Sequence, residues 1–406
     1  MVIIEGLPAG LPITVEQIGR ELARRRLGFG RGPRMKFEAD EITLLAGVRH
    51  GITLGSPIAI EIGNSEWEKK WTEEMSPHPG ETSQKLTTPR PGHADLTGMQ
   101  KYAFDDARNV LERASARETA ARVAAGAVAK ALLATIGTEV GSHVIALGGV
   151  RASMAARPGP GGFAPVDESE VRCLDAAAES AMIDAIRAAQ KAGDSLGGVV
   201  EVVAHGVPIG LGSHVHWDRR LDGLLAQALL SIQAVKGVEI GDGFDVAGRP
   251  GSEAHDPIVW DAETSTYRRL SANAGGIEGG MSTGEVLVAH VAMKPLATLN
   301  RPVLATVDTA TKEAGVSFRE RTDVTAVPAM GVVAEAMAAL VLANECLRKF
   351  GGDSLREFTR NHETFAAQVR EQTSRIDIDA ATDPDAVPLN WDAGQAFAVD
   401  ADASDA

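Results

Sequence analysis

The chain has 406 residues, 44% of them hydrophobic, with 43 glycines and a formal net charge of −15. That length suits one large domain or two ordinary ones. The acidity argues against general nucleic-acid binding, which needs a basic face. No apolar run is read as approaching the ~20 residues of a membrane span. Two isolated cysteines, Cys173 and Cys346, make neither a disulfide framework nor a metal site. No signal-like segment precedes the first motif, so a cytoplasmic protein with no nucleic-acid or membrane partner is expected.

Residues 1–13 read as the end of a strand and a turn. Thr14 then opens a helix. Gln17 completes a capping box, and Ile13 and Ile18 fit a hydrophobic staple. The helix is expected to run to about Arg26, with Gly28 as its stop. Residues 41–62 predict two strands, EITLLAGV and SPIAIEI, joined by a glycine-containing turn. Residues 64–90, with Trp67 and Trp71, read as a long polar loop. Ser115 is a good N-cap, and Glu118 completes a second capping box. Ala120, Val123, Ala124, Ala127 and Ala131 follow at helical spacing. Such small residues predict close packing against a sheet or another helix. Residues 197–212 alternate like strands. Residues 221–235 read as a helix, as do 329–350, which Gly351 and Gly352 stop. Helices and strand pairs mix without a regular βαβ rhythm, which gives an α+β or a layered α/β fold. From about Ser374 the chain is acidic, Ala/Asp-rich and poor in core residues. One domain over residues 1–373 and a disordered tail over 374–406 are expected.

Chemistry concentrates in residues 90–95 (RPGHAD) and 108–119 (RNVLERASARET). His93 sits in a Gly/Pro turn, and histidine exchanges protons near neutral pH. A helix start beside arginines binds phosphate or carboxylate. Arg25 and Arg31 flank a glycine turn where the first helix ends, and guanidinium forks suit the same anions. A solvated helix end would use the same residues, and Arg24 and Arg26 lie close enough to leave the pair open. Arg321 and Asp323 face the same way in an extended segment, either as a surface ion pair or as part of a site. His214 and His216 are not read as metal ligands, and no metal is expected. No G-x-G-x-x-G follows a strand, so a dinucleotide fold is not supported.

Further motifs stand in order along the chain: residues 24–32 (RRRLGFGRG), 194–198 (DSLGG), 233–237 (QAVKG), 275–280 (GGIEGG), Lys294-Pro295 and 321–323 (RTD). Taken with RPGHAD and RAS, they make roughly residues 1–370 resemble the chorismate synthase family. The resemblance implies a layered β-α-β sandwich of the α+β class and a homotetramer. It implies a 1,4-anti elimination of phosphate from 5-enolpyruvylshikimate 3-phosphate to give chorismate. It also implies reduced FMN as cofactor, with NADPH as a reductant. It makes His93 and Asp323 catalytic, with Asp95 orienting His93. It places Arg113, Ala114, Ser115, Gln233, Ala234, Gly279, Lys294, Pro295, Leu296, Ala297, Thr298 and Arg321 at flavin-contacting positions. Arg25, Arg31 and Arg90 match positions that meet the anionic substrate or NADP.

Two departures stand out. Ala272 occupies the family's usual Asn position, with Asn273 one step later. Family members also begin with a strand and Gly-Glu-Ser-His-Gly, whose histidine is a second catalytic one; this sequence starts downstream of that motif. The second departure predicts a crippled enzyme, or alternatively a flavin- and anion-binding protein without turnover.

Overall fold

The computed structural model describes residues 1–32, 40–64, 67, 71–80, 84–153, 156–318 and 322–374. In chain order the principal strands are β1 (Val2–Ile4), β2 (Ile42–Ala46), β3 (Ile58–Ile62), β4 (Glu139–Leu147), β5 (Val150–Arg151), β6 (Gly198–His205), β7 (Val235–Ile240) and β8 (Leu287–Met293). The principal helices are α1 (Val15–Arg26), α2 (Asp95–Tyr102), α3 (Arg108–Ala114), α4 (Thr119–Ala134), α5 (Ala176–Ala192), α6 (Leu221–Leu230), α7 (Val327–Phe350) and α8 (Leu355–Ser374).

Two antiparallel sheets enclose a helical layer. The smaller has the order β1-β3-β2, with Val2 opposite Ile60 and Ile42 opposite Ile62. The larger has the order β5-β4-β6-β8-β7, with Val144 opposite Val200 and Val200 opposite Val291. α4 packs on α1, on α7 and under the small sheet, while α7 lies along β4 and β6. This is the layered β-α-β sandwich of the α+β class. The small residues of α4 allow it. A Cβ on Gly126 would stand 2.2 Å from the Ala336 Cβ, so α4 and α7 meet almost backbone to backbone.

α7 corrects one expectation. At 24 residues it is long and apolar enough to cross a membrane. Here it is a core helix, buried along most of its length. Its Glu335 has no exposed surface. The carboxylate accepts hydrogen bonds from Arg24 Nη1 (2.7 Å), Arg172 Nη2 (2.8 Å), Ser142 Oγ (2.7 Å) and Lys130 Nζ (2.5 Å). Burial alone would raise this carboxyl's pKa, but Lys130, Arg24 and Arg172 hold it well below the usual carboxylate range. One side chain thereby joins α1, α4, α7 and the large sheet.

Thr14 and Gln17 close the expected reciprocal capping box on α1. Ser115, by contrast, ends α3 and caps a 3-10 turn over Ala116–Glu118; the long helix starts only at Thr119. The Glu118 carboxylate is drawn to Arg122 and Gln233 rather than to a capping role. The helix expected over 221–235 stops at Leu230, because Ala234 turns left-handed and Val235 begins β7. The strand expected to 212 ends at His205, after which Gly212 makes an isolated bridge to Met281. The described part of the 64–90 loop includes a short helix, Thr72–Glu74. The tail beyond Ser374 lies outside the described residues. Cys173 and Cys346 are both buried, and burial pushes the Cys346 thiol up to about 12, which makes it an unreactive core residue.

The Gly126–Ala336 contact yields a direct test. Gly126→Ala should overpack the helical layer and destabilise the fold by about 1–3 kcal/mol. Urea unfolding would measure the shift, and an unchanged midpoint would contradict the close approach.

Candidate active site

The His93 turn is built around one carboxylate. Gly92 takes φ +74°, and the His93 amide donates back to the Arg90 carbonyl at 3.3 Å. The tight turn brings Asp95, at the start of α2, under both neighbours. Asp95 is fully buried. It accepts from the Arg90 amide (3.1 Å), Arg90 Nε (2.8 Å) and Arg90 Nη2 (3.1 Å), and pairs with His93 Nδ1 at 2.5 Å. Burial would raise the Asp95 carboxyl's pKa, but hydrogen bonds from His93 and Arg90 and the Arg90 charge hold it well below the usual range. Arg90 then reaches outward. Its Nη1 lies 3.2 Å from Thr298 Oγ1, and its guanidinium stacks 4.9 Å from the Phe318 ring centroid.

Residues 294–298 leave the end of β8 and close the other side. Lys294 Nζ donates to the Gly92 carbonyl, and the Lys294 amide donates to the Ala234 carbonyl at 2.9 Å. Ala234 sits at φ +66°, which presents that carbonyl. Leu296 offers its carbonyl to Ser195 Oγ at 2.8 Å, Ala297 lies beside Gly92, and Pro295 is exposed. The neighbouring Gln233 donates through Nε2 to Glu118, which Arg122 Nε also meets at 2.9 Å. Burial raises the Glu118 carboxyl's pKa, but the bonds from Arg122 and Gln233, with the Arg122 and Arg113 charges, outweigh it and lower the pKa. Arg113, near the end of α3, thus acts on the same carboxylate that Gln233 meets.

A third strand of contacts runs through Asp323. Its Oδ2 pairs with Arg31 Nη1 at 2.9 Å and its Oδ1 accepts from the Gly32 amide at 2.6 Å. Arg321, the expected neighbour, lies outside the described residues. The structure also separates the clustered arginines of α1. Arg24 belongs to the Glu335 network, whereas Arg25, Arg26 and Arg117 approach Asp40 at 3.8, 3.9 and 2.6 Å. Arg25 is buried.

These connections bring His93, Arg90, Lys294, Thr298, Ala234, Gln233 and the Ser115 segment into one linked set. Gly279 stands apart, in a turn beside His214 and Met281, and no hydrogen bond among the described residues joins it to that set. Asn273 spends its amide on the carbonyls of Glu253 and Ala254 at 3.2 Å each. An apolar groove of about 510 Å³ between α4, α6 and α7 contains none of the candidate site residues. Sequence reading missed Asp40, Arg117 and the linking role of Glu118. Only the Glu118/Arg122 spacing of four residues carried a signal of them.

The family model described as chorismate synthase matches residues 1–347. This chain belongs to the chorismate synthase family. It is 58% identical over 377 residues to a chorismate synthase of Nocardioides sp., covering 91% of this chain and 95% of the relative. It is 57% identical over 384 residues to one from Streptomyces coelicolor, covering 92% and 95%. A crystal structure of chorismate synthase superposes with a TM-score of 0.73 at 40% identity, covering 91% of this chain and 94% of that one. Family membership makes the chain a carbon–oxygen lyase and supports an enzyme over a flavin-binding protein without turnover.

The residues present fit a flavin phosphate and ring. Lys294 and Thr298 bring a cation and a hydroxyl to one short segment, and the Gln233 Oε1 is buried with no hydrogen-bond partner among the described residues.

Asp95 supplies a stability test. Asp95→Asn strips a buried Arg90 of its carboxylate, a loss of about 3–5 kcal/mol. The folded pKa is depressed, so the contribution is complete above the unfolded value of about 4 and fades as pH falls toward the folded value. The unfolding gap between wild type and variant should be wide at about pH 7 and should narrow below about pH 4. A gap independent of pH would refute the assignment.

Proposed function

We propose that this chain eliminates phosphate from 5-enolpyruvylshikimate 3-phosphate to give chorismate. One C–H and one C–O bond break, and no net redox change occurs. The observation that carries this reading is the convergence of the His93–Asp95 pair, Lys294 and Thr298 on the Arg90 turn. When bound, reduced FMN would supply an electron-rich ring to the reaction, and NADPH would serve as reductant.

The protein's part is to bind, orient and move protons. Lys294 and Thr298 would hold the flavin phosphate, and Arg113, Ser115, Gln233 and Ala234 would hold the ring. Arg25, Arg31 and Arg117 offer forks to substrate carboxylates and phosphate, and exclusion of water strengthens those contacts. Donation of the His93 Nδ1 proton to Asp95 leaves Nε2, which lies 3.2 Å from Arg90 Nη2, as the nitrogen that accepts or releases a proton. Asp323, aligned by Arg31 and the Gly32 amide, presents a carboxylate for the proton that leaves the substrate carbon. A cytoplasmic homotetramer belongs to the same reading, since Trp217, Phe244 and Tyr267 expose aromatic surface that further copies would cover.

His93→Ala and Asp323→Asn are each expected to lower turnover by about 10²-fold or more, the scale for a lost general acid or base. Affinity for reduced FMN should change much less. The assay is anaerobic chorismate formation with titrated flavin. Near-normal turnover in either variant would remove that residue from the mechanism.

A further inference from the structure

Residues 193–197 carry the DSLG part of a motif with no role in the site as described so far. They run between two functional segments and bind both. Ser195 is buried, and its Oγ donates to the Leu296 carbonyl at 2.8 Å. No other donor to that carbonyl is found among the described residues. One residue on, the Leu196 amide donates to the Val324 carbonyl at 2.8 Å. Val324 follows Asp323 directly, and its own amide donates to Gly30 at 2.9 Å, beside Arg31. On the other side Gly197 lies flat against the start of the lysine segment. A Cβ there would stand 2.4 Å from the Met293 carbonyl oxygen and 2.9 Å from the Pro295 nitrogen. The Arg301 amide closes the far end on the Gly193 carbonyl at 3.1 Å.

Most of these ties use the backbone, which any residue supplies. The Ser195 hydroxyl is the exception, a side-chain donor aimed at a main-chain acceptor. We propose that Ser195 is a positioning residue whose hydroxyl fixes the spacing between the 294–298 segment and the Asp323 segment. It thereby sets the groups that hold the flavin phosphate against the carboxylate that takes the proton. This rests on the roles proposed above for Lys294, Thr298 and Asp323. Placement matters because a displacement of a fraction of an ångström from reacting geometry costs rate even when the reacting groups are intact.

The test uses the full chain and the variants Ser195→Ala and Ser195→Thr, each first checked for an unchanged melting profile. Hydrogen exchange without ligand should show faster exchange in peptides covering 194–197 and 294–298 for the alanine variant and near-normal exchange for threonine. With reduced FMN and 5-enolpyruvylshikimate 3-phosphate, the alanine variant should lose about five- to tenfold in kcat and in flavin affinity, the scale of one hydrogen bond. Its KM for substrate should change less, and threonine should restore kcat. If exchange, kcat and flavin affinity all match wild type in the alanine variant, the proposal falls. Faster exchange with unchanged kcat and flavin affinity would leave Ser195 a structural residue only, and so would a threonine variant as impaired as alanine. A wild-type chain that exchanges as described but neither binds flavin nor turns over would sink the functional reading, and the role of Ser195 in the reaction with it. The hydrogen-bond clamp itself would still be judged by the exchange arm.

Discussion

A carboxylate with no exposed surface cannot stay ionised unless cations and donors meet it. Glu335 is that group at the centre of this fold, and the side chains that meet it come from α1, α4, β4 and the segment before α5. The consequence for the site is rotational. Arg24 is held inward by Glu335, so Arg25, one residue on and about 100° around the helix, is turned toward Asp40 and Arg117. The stop after Arg26 then carries the chain through Gly30 to Arg31, which pairs with Asp323. The orientation of Arg25 and Arg31 is therefore a product of the core.

The same principle recurs at smaller scale beside His93. Asp95 is buried and satisfied by Arg90 and His93, so the proton-exchanging imidazole is held by the need of a carboxylate for donors. Arg90 extends the arrangement to Thr298, and Lys294 returns it to Gly92. Two buried carboxylates of opposite purpose result. One orders the helical layer, and the other orders a histidine.

Much of this was readable in the sequence where local chemistry decides the outcome. The Thr14/Gln17 box, the α1 stop and the small-residue face of α4 are short-range signals, and the structure keeps them. The family motifs likewise marked most of the linked residues. What failed were places where a distant partner outbid a local preference. Glu118 had the spacing of a cap but was drawn to Gln233, 115 positions away. Helix propensity ran through Ser231 and Gln233, yet Ala234 turns left-handed to offer its carbonyl to Lys294. The extent of α7 was legible to within two residues, but its membrane-like apolar character was not, because Glu335 and Glu345 interrupt its apolar run, and only the three-dimensional partners of Glu335 show how such an interruption is tolerated. Nothing in one dimension distinguishes Arg24 from Arg25; Glu335, more than 300 residues away, makes the distinction.

The central claim is that this arrangement performs a phosphate elimination that needs an electron-rich flavin without consuming it. The direct measurement follows chorismate, inorganic phosphate and flavin absorbance together under anaerobic conditions. With reduced FMN the account predicts equal amounts of chorismate and phosphate and a flavin that ends the reaction still reduced. Equal rates with oxidised FMN, or flavin oxidation in step with product, would contradict it.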